Sequence, residues 1–232
     1  MRIALIGYGK MGKTIERLAR DQGHAVSKIM DIDDNPVGSG FWGDWVENTD
    51  VLIDFSLAPA VPANIRNAVD ARLPIVVGAT GWYEHVQQLR QEVESQGGAC
   101  LYSSNFSLGV QTLFYLVREA SKVLARYKDV HPFVVETHYV QKLDAPSGTA
   151  LTIRRIMEES YGQPVPVSSV RAGFFPGTHT VGFDSPVDTL TLEHTARSRE
   201  GFARGALLAA DWIQGKKGFF TFEQVIFGEN NG

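Results

Sequence analysis

The chain has 232 residues, 44% of them hydrophobic and 21% charged, and a net charge of −4. That length supports one large core or two modest ones, and the acidic balance excludes a general nucleic-acid binder, which needs a basic surface against phosphates. No apolar run reaches membrane-spanning length, and a single cysteine, Cys100, excludes an intramolecular disulfide.

Residues 2–6 are a short apolar run stopped by Gly7, which predicts a buried parallel strand. They lead directly into a glycine loop with no room for a signal peptide, so a cytoplasmic protein is expected. Residues 11–22 place Met11, Ile15, Leu18 and Ala19 on one helical face, Gly23 ends that helix, and 24–30 form a second strand before Asp31. Between them, Gly7-x-Gly9-x-x-Gly12 follows a strand and opens a helix, as a dinucleotide fingerprint requires. Gly7 permits the tight turn, Gly9 a close approach of backbone to pyrophosphate, and Gly12 close helix–strand packing. Asp31 lies where an acid binds the adenosine ribose hydroxyls; a carboxylate there favours NADH, while Lys10 and Lys28 are the nearby cations for NADPH.

Residues 31–47 have no clear period and read mostly as loop. Strands are expected at 51–55, 73–78 and 99–103, with helices at 60–71 and 83–96; Cys100 falls within the last strand as a buried residue. Gly78-Ala-Thr-Gly81 and Ser103-Ser104-Asn105-Phe106 each follow a strand, where loops line the ligand crevice, and are expected to meet the nicotinamide mainly through backbone groups.

The alternation changes after Asn105. A long helix is expected at 110–127, a strand at 133–139 and a helix at 151–160. Three antiparallel strands follow at 168–172, 179–183 and 188–196, then a helix at 202–213 and a last strand at 220–225. The class is α/β: an N-terminal Rossmann dinucleotide-binding domain, 1–106 with 200–232, plus an α+β domain, 107–199, with a mixed or antiparallel sheet.

Chemistry concentrates in Glu136-Thr-His-Tyr-Val-Gln-Lys-Leu-Asp-Ala-Pro-Ser-Gly-Thr149. Asp144 or Ser147 is placed to cap the helix that starts here, with Pro146 suited to its first turn. Gly148 exposes backbone and Thr149 adds a hydroxyl, which together make a carboxylate pocket at a helix N-terminus. Lys142 suits pairing with that anion or protonation of a developing carbanion. His138, on the preceding strand and pointing the same way as Glu136 and Val140, suits substrate binding or a proton relay. The other histidines (His24, His85, His131 in a turn, His179 and His194) show no metal-ligand spacing, so no metal is expected.

At Glu136–Ala150 the chain resembles the 4-hydroxy-tetrahydrodipicolinate reductase (dihydrodipicolinate reductase) family, whose signature is Glu-x-His-His-x-x-Lys-x-Asp-Ala-Pro-Ser-Gly-Thr-Ala. Asp54-Phe-Ser56, Gly78-Ala-Thr-Gly81, Asn105-Phe-Ser-Leu-Gly109 and His194-Thr-Ala-Arg-Ser-Arg199 keep the family's order. The resemblance implies that His138 and Lys142 are the catalytic pair, with Lys142 the proton donor, and that Gly148 and Thr149 hold a substrate carboxylate. It implies a coenzyme site of Gly7, Lys10, Met11, Gly12, Asp31, Gly78, Thr80, Ser104, Asn105 and Phe106. It also implies hydride transfer from NADH or NADPH to the cyclic imine derived from a hydroxylated dicarboxylate, on the route to diaminopimelate and lysine, and a homotetramer formed through the second sheet. The signature's second His is Tyr139 here, a substrate-binding position, and Val140 and Gln141 precede the lysine. A phenol carries no positive charge at neutral pH, so a less cationic pocket is expected. Two alternatives stand beside this reading: an oxidoreductase acting on another small carboxylate, and a silent nucleotide-binding homologue.

Overall fold

A computed structural model describes residues 1–35, 38 and 43–228. The chain divides into two units, Met1–Ser107 with Arg199–Gly232, and Leu108–Ser198.

The first unit opens with β1 (Arg2–Ile6), α1 (Lys10–Asp21), β2 (Ala25–Met30), β3 (Val51–Asp54), α2 (Val61–Asp70), β4 (Ile75–Val77), α3 (Val86–Ser95) and β5 (Ala99–Tyr102). All five strands are parallel, in the order β5-β4-β3-β1-β2. Alternate residues of β1 enter two different cores. Ile3 and Leu5 pack with Ile15 and Leu18 of α1, while Ala4 and Ile6 pack with Ile65 of α2 and Leu89 and Val93 of α3. Burial on both faces is why these strands read as unbroken apolar runs. A short 3₁₀ turn, Val46–Asn48, interrupts the loop expected at 31–47; residues 36, 37 and 39–42 of that loop lie outside the described residues.

The second unit contains α4 (Leu108–Leu124), β6 (His131–His138), α5 (Gly148–Tyr161), β7 (Val167–Arg171), β8 (Thr178–Asp184) and β9 (Thr189–Thr195). Its sheet runs β7-β6-β8-β9. The expectation of three antiparallel strands is corrected: β8 pairs antiparallel with β6 and β9, but β7 lies on the other side of β6 and runs parallel to it. The connection through α5 is a β–helix–β crossover, which returns the chain in the same direction. His131 begins β6 rather than sitting in a turn. Val110, Leu113 and Val117 of α4 and Ile153, Ile156 and Met157 of α5 pack on Val134 of β6 and Val181 and Phe183 of β8, so both helices cover one face of the sheet.

The chain then returns to the first unit with α6 (Glu200–Trp212), β10 (Gly218–Thr221) and α7 (Phe222–Phe227). β10 adds to β5 as a sixth parallel strand. The strand expected at 220–225 ends at Thr221, because Thr221 and Gln224 form a capping box that starts α7.

Candidate functional site

β1 lies between β2 and β3, so the order of the first sheet reverses there, and the strand C-termini around such a reversal form a natural ligand crevice. A cavity of about 250 Å³ occupies that place, lined by Gly7, Tyr8, Gly9, Asp31, Ile32, Asn35, Phe55 and Ser56 among others. Gly7 has φ +86° and a Cβ there would lie 2.6 Å from the Phe55 carbonyl oxygen; a Cβ on Gly12 would lie 2.3 Å from the Gly7 carbonyl oxygen. Neither position accommodates a side chain. Gly9 is the N-cap of α1, with no side-chain cap and no acid in the first turn, and a Cβ there would meet nothing within 4 Å. Free N–H groups at an open helix N-terminus suit a pyrophosphate, so these residues fit a dinucleotide.

Asp31 follows β2 and accepts a hydrogen bond from the Tyr8 N–H at 3.1 Å, which ties the acid to the glycine loop. Behind it, Asn35 donates to Asn64 and Asn64 to the buried Asp54, each at 2.8 Å; burial pushes the Asp54 carboxyl up. Tyr8, Asn35 and Asn64 were not predicted, since contact with a loop 20 to 30 residues away leaves no local pattern. Lys10 is exposed in the first turn of α1, and Met11 packs partly on the core. Gly78 follows β4, Thr80 and Ser104 are exposed, and the Asn105 side chain accepts from the Ser107 N–H at 2.8 Å. The Phe106 ring is buried against Phe55 and Phe222, leaving its backbone as the part available to a ligand.

In the second unit, Glu136 and His138 lie two residues apart on the helix-covered face of β6. Val140, expected to share that direction, lies beyond the strand and is exposed. His138 Nε2 is 3.2 Å from Glu136 Oε2. Glu136 also accepts from the Ser147 N–H at 3.0 Å, the Ser169 hydroxyl at 2.7 Å and Arg171 Nη2 at 2.7 Å. Ser147, not Asp144, caps α5, taking the Ala150 N–H at 3.2 Å; Pro146 precedes the cap instead of occupying the first turn. Gly148 and Thr149 are therefore the first two residues of α5, and a Cβ on Gly148 would meet nothing within 4 Å. Lys142 Nζ holds the Asp144 carboxylate at 2.7 and 3.0 Å. Tyr139 follows the end of β6 and is half-buried.

The electrostatics divide these groups into permanent and switchable charges. Burial works to raise the Glu136 pKa, but hydrogen bonds from Ser147, Arg171 and Ser169 outweigh it and bring it to about 2. Burial holds His138 below the ordinary imidazole value, with Glu136 opposing and Lys142 and Arg171 reinforcing the shift. Burial, followed by the neighbouring His138, lowers His179 to about 4. Lys142 lowers the Asp144 pKa by its hydrogen bond.

His179 comes from β8 and was not associated with His138 in the sequence. Their rings stand edge-on, 5.2 Å apart, and Glu136, His138 and His179 bring possible metal-ligand atoms within 4.8 Å of one another. The carboxylate's lone pairs already take Arg171, Ser169 and Ser147, and a cation there would face the guanidinium. The grouping suits a hydrogen-bond network better than a metal ion.

Family models described as dihydrodipicolinate reductase, N-terminus, and dihydrodipicolinate reductase, C-terminus, match residues 1–106 and 109–226. A 4-hydroxy-tetrahydrodipicolinate reductase of Christiangramia forsetii is 36% identical over 238 residues, covering 97% of this chain and 98% of the relative. One from Caldanaerobacter subterraneus subsp. tengcongensis is 34% identical, covering 97% and 99%. A solved structure, dipicolinate-bound dihydrodipicolinate reductase from Paenisporosarcina sp. TG-14, matches with a TM-score of 0.80 over 97% of this chain and 98% of that one. At 21% identity that likeness speaks to the fold.

Proposed function

Because this chain belongs to the dihydrodipicolinate reductase family, its reaction is the NAD(P)H-dependent reduction of 4-hydroxy-tetrahydrodipicolinate to tetrahydrodipicolinate in lysine biosynthesis, and we propose that His138 and Lys142 are its catalytic pair. The first unit holds the coenzyme, through Gly7, Lys10, Met11, Gly12, Asp31, Gly78, Thr80 and Ser104–Phe106. The second unit binds the dicarboxylate and carries the contacts between subunits. When bound, the reduced nicotinamide supplies a hydride to the electron-poor ring.

The chain's own residues then have three tasks. Gly148 and Thr149, at the open head of α5, bind a substrate carboxylate through backbone N–H groups and a hydroxyl. Lys142 donates the proton that balances the incoming hydride. Its ammonium rests on Asp144 until the substrate's carboxylate competes for it. His138, set at the end of β6 and kept mostly neutral by burial, accepts or relays a proton beside the ring. Tyr139 adds one phenol hydrogen bond where the family signature has an imidazole, which makes the dianion pocket less cationic.

Asp31 supports a preference for NADH, since a carboxylate beside the adenosine ribose repels a 2′-phosphate. A buried Cys100 with its thiol pKa raised by burial suits a reducing cytoplasm; among the described residues no helix is long and apolar enough to cross a membrane.

The single observation that carries the site assignment is the clustering of His138, the Ser147 cap and the head of α5 around one carboxylate. The test supplies the condensation product of pyruvate and aspartate semialdehyde and follows NADH and NADPH oxidation by absorbance. Lys142→Ala should lower turnover by about a hundredfold or more, the contribution of a positioned acid, with NADH affinity unchanged. A variant with normal turnover would remove Lys142 from the mechanism.

A further inference from the structure

Glu136 has no part in the proton transfer above, yet it is fully buried and meets groups from β6, β7, β8 and the cap of α5. Its Oε1 receives Ser169 Oγ and Arg171 Nη2 at 2.7 Å and the Ser147 N–H at 3.0 Å. Its Oε2 faces the Ser147 N–H at 3.2 Å, His138 Nε2 at 3.2 Å and His179 Nε2 at 3.6 Å. An ionised carboxylate only accepts hydrogen bonds, so a group that bonds to it must donate.

We propose that Glu136 is the positioning residue of this site: it holds His138 in the Nε2–H form, leaves the lone pair on Nδ1, and ties that ring to the backbone at the head of α5. The tautomer follows from the geometry alone; its effect on turnover rests on the reading of His138 given above. Two further contacts fix the arrangement. A Cβ on Gly177 would come within 3.0 Å of His138 Cε1 and 3.1 Å of Nδ1, so the ring takes the space a side chain at 177 would need. Arg171 Nη2 also donates to the Asp144 carbonyl, which anchors the loop between Lys142 and Ser147 to the same carboxylate. One buried charge thereby sets the relative positions of the imidazole and the helix start. Glu136 remains ionised across the working range, which keeps it a pure acceptor.

Glu136→Gln conserves volume and reverses the demand on His138. Three donors converge on the Oε1 position and hold the amide oxygen there. The NH₂ group then occupies the Oε2 position and points at His138, where a donor requires a bare Nε2. The ring proton moves to Nδ1. Long-range ¹H–¹⁵N spectra of ¹⁵N-histidine protein at about pH 8, above the imidazole range, report the tautomer, with His138 assigned by its loss in His138→Gln. The expected result is Nε2–H in the natural protein and Nδ1–H in Glu136→Gln. An Nδ1–H form in the natural protein, or an unchanged tautomer in a folded variant, overturns the proposal; if the variant does not fold, the natural protein's tautomer decides alone.

Turnover gives a second readout. Glu136→Gln should lower kcat by about a hundredfold, as loss of a correctly oriented acid–base group does, with NADH affinity intact. In a His138→Gln background the same change should lower kcat by less than about twofold. Equal losses in both backgrounds overturn action through His138. Full activity in His138→Gln alone removes the catalytic reading of that residue instead, and the tautomer measurement still decides the positioning of the ring.

Discussion

At the scale of single residues, the charges that matter are set by what each side chain touches. Asp31 is held by the Tyr8 N–H at the rim of the cavity. Asp31→Ala should weaken NADH and relatively favour NADPH, measured as the ratio of the two kcat/KM values; an unchanged ratio would count against the assignment. His179 makes a different prediction. Its folded pKa of about 4 lies below the ordinary 6.5, because burial disfavours the charged ring. Between those values the unfolded chain binds the extra proton, so stability rises as pH rises from about 4 to 6.5 and that contribution is lost on acidification through the window. The midpoint of thermal unfolding should rise with pH over that range, and His179→Gln should flatten the dependence. The closeness of His138 and Lys142 is legible because they sit within five residues of sequence. The contact of Glu136 with Arg171 is not, since the two are 35 residues apart and only the sheet register brings them together.

Elements were legible where periodicity carries the information. The apolar runs of β1, β3 and β4 and the helical spacing of α1 mark those segments within a few residues. Strand direction is a different matter, since a period of two is the same for parallel and antiparallel partners. The antiparallel direction expected for β7 is therefore wrong: it pairs parallel with β6. At α7 the sign was present in the sequence as Thr221-Phe-Glu-Gln224, a capping box, but Phe219, Phe220 and Phe222 made the segment look like one strand. The start of α5 offers an element-scale test. Ser147→Ala removes the acceptor for the Ala150 N–H and should cost about 1 kcal/mol of stability. If the head of this helix binds a carboxylate, KM for the dicarboxylate should rise as well. A stability loss with unchanged KM would separate the cap from substrate binding.

At the scale of the whole molecule, the sheet of the second unit is covered on one face by α4 and α5. Its other face presents Phe133, Val135 and Thr137 of β6 and Thr180 of β8, all half-buried, with no helix of this unit packed on them. The homotetramer proposed for this chain would bury that face against a second subunit. Light scattering should give four times the 25.5 kDa chain mass; a monomer at micromolar concentration would exclude assembly through this face.

The return of the chain to its first unit has a consequence for biosynthesis. Ala203, Ala206, Leu207, Ile213 and Phe222 share one core with Ile3, Leu5 and Leu18, and β10 completes the edge beside β5. A ribosome must therefore make the whole intervening unit before the amino-terminal lobe has its last strand and two covering helices. Until then the nascent lobe presents an unpaired strand edge and an uncovered apolar face, the features that chaperones bind and that drive aggregation. A stop codon after residue 198 would freeze the polypeptide in that unfinished state.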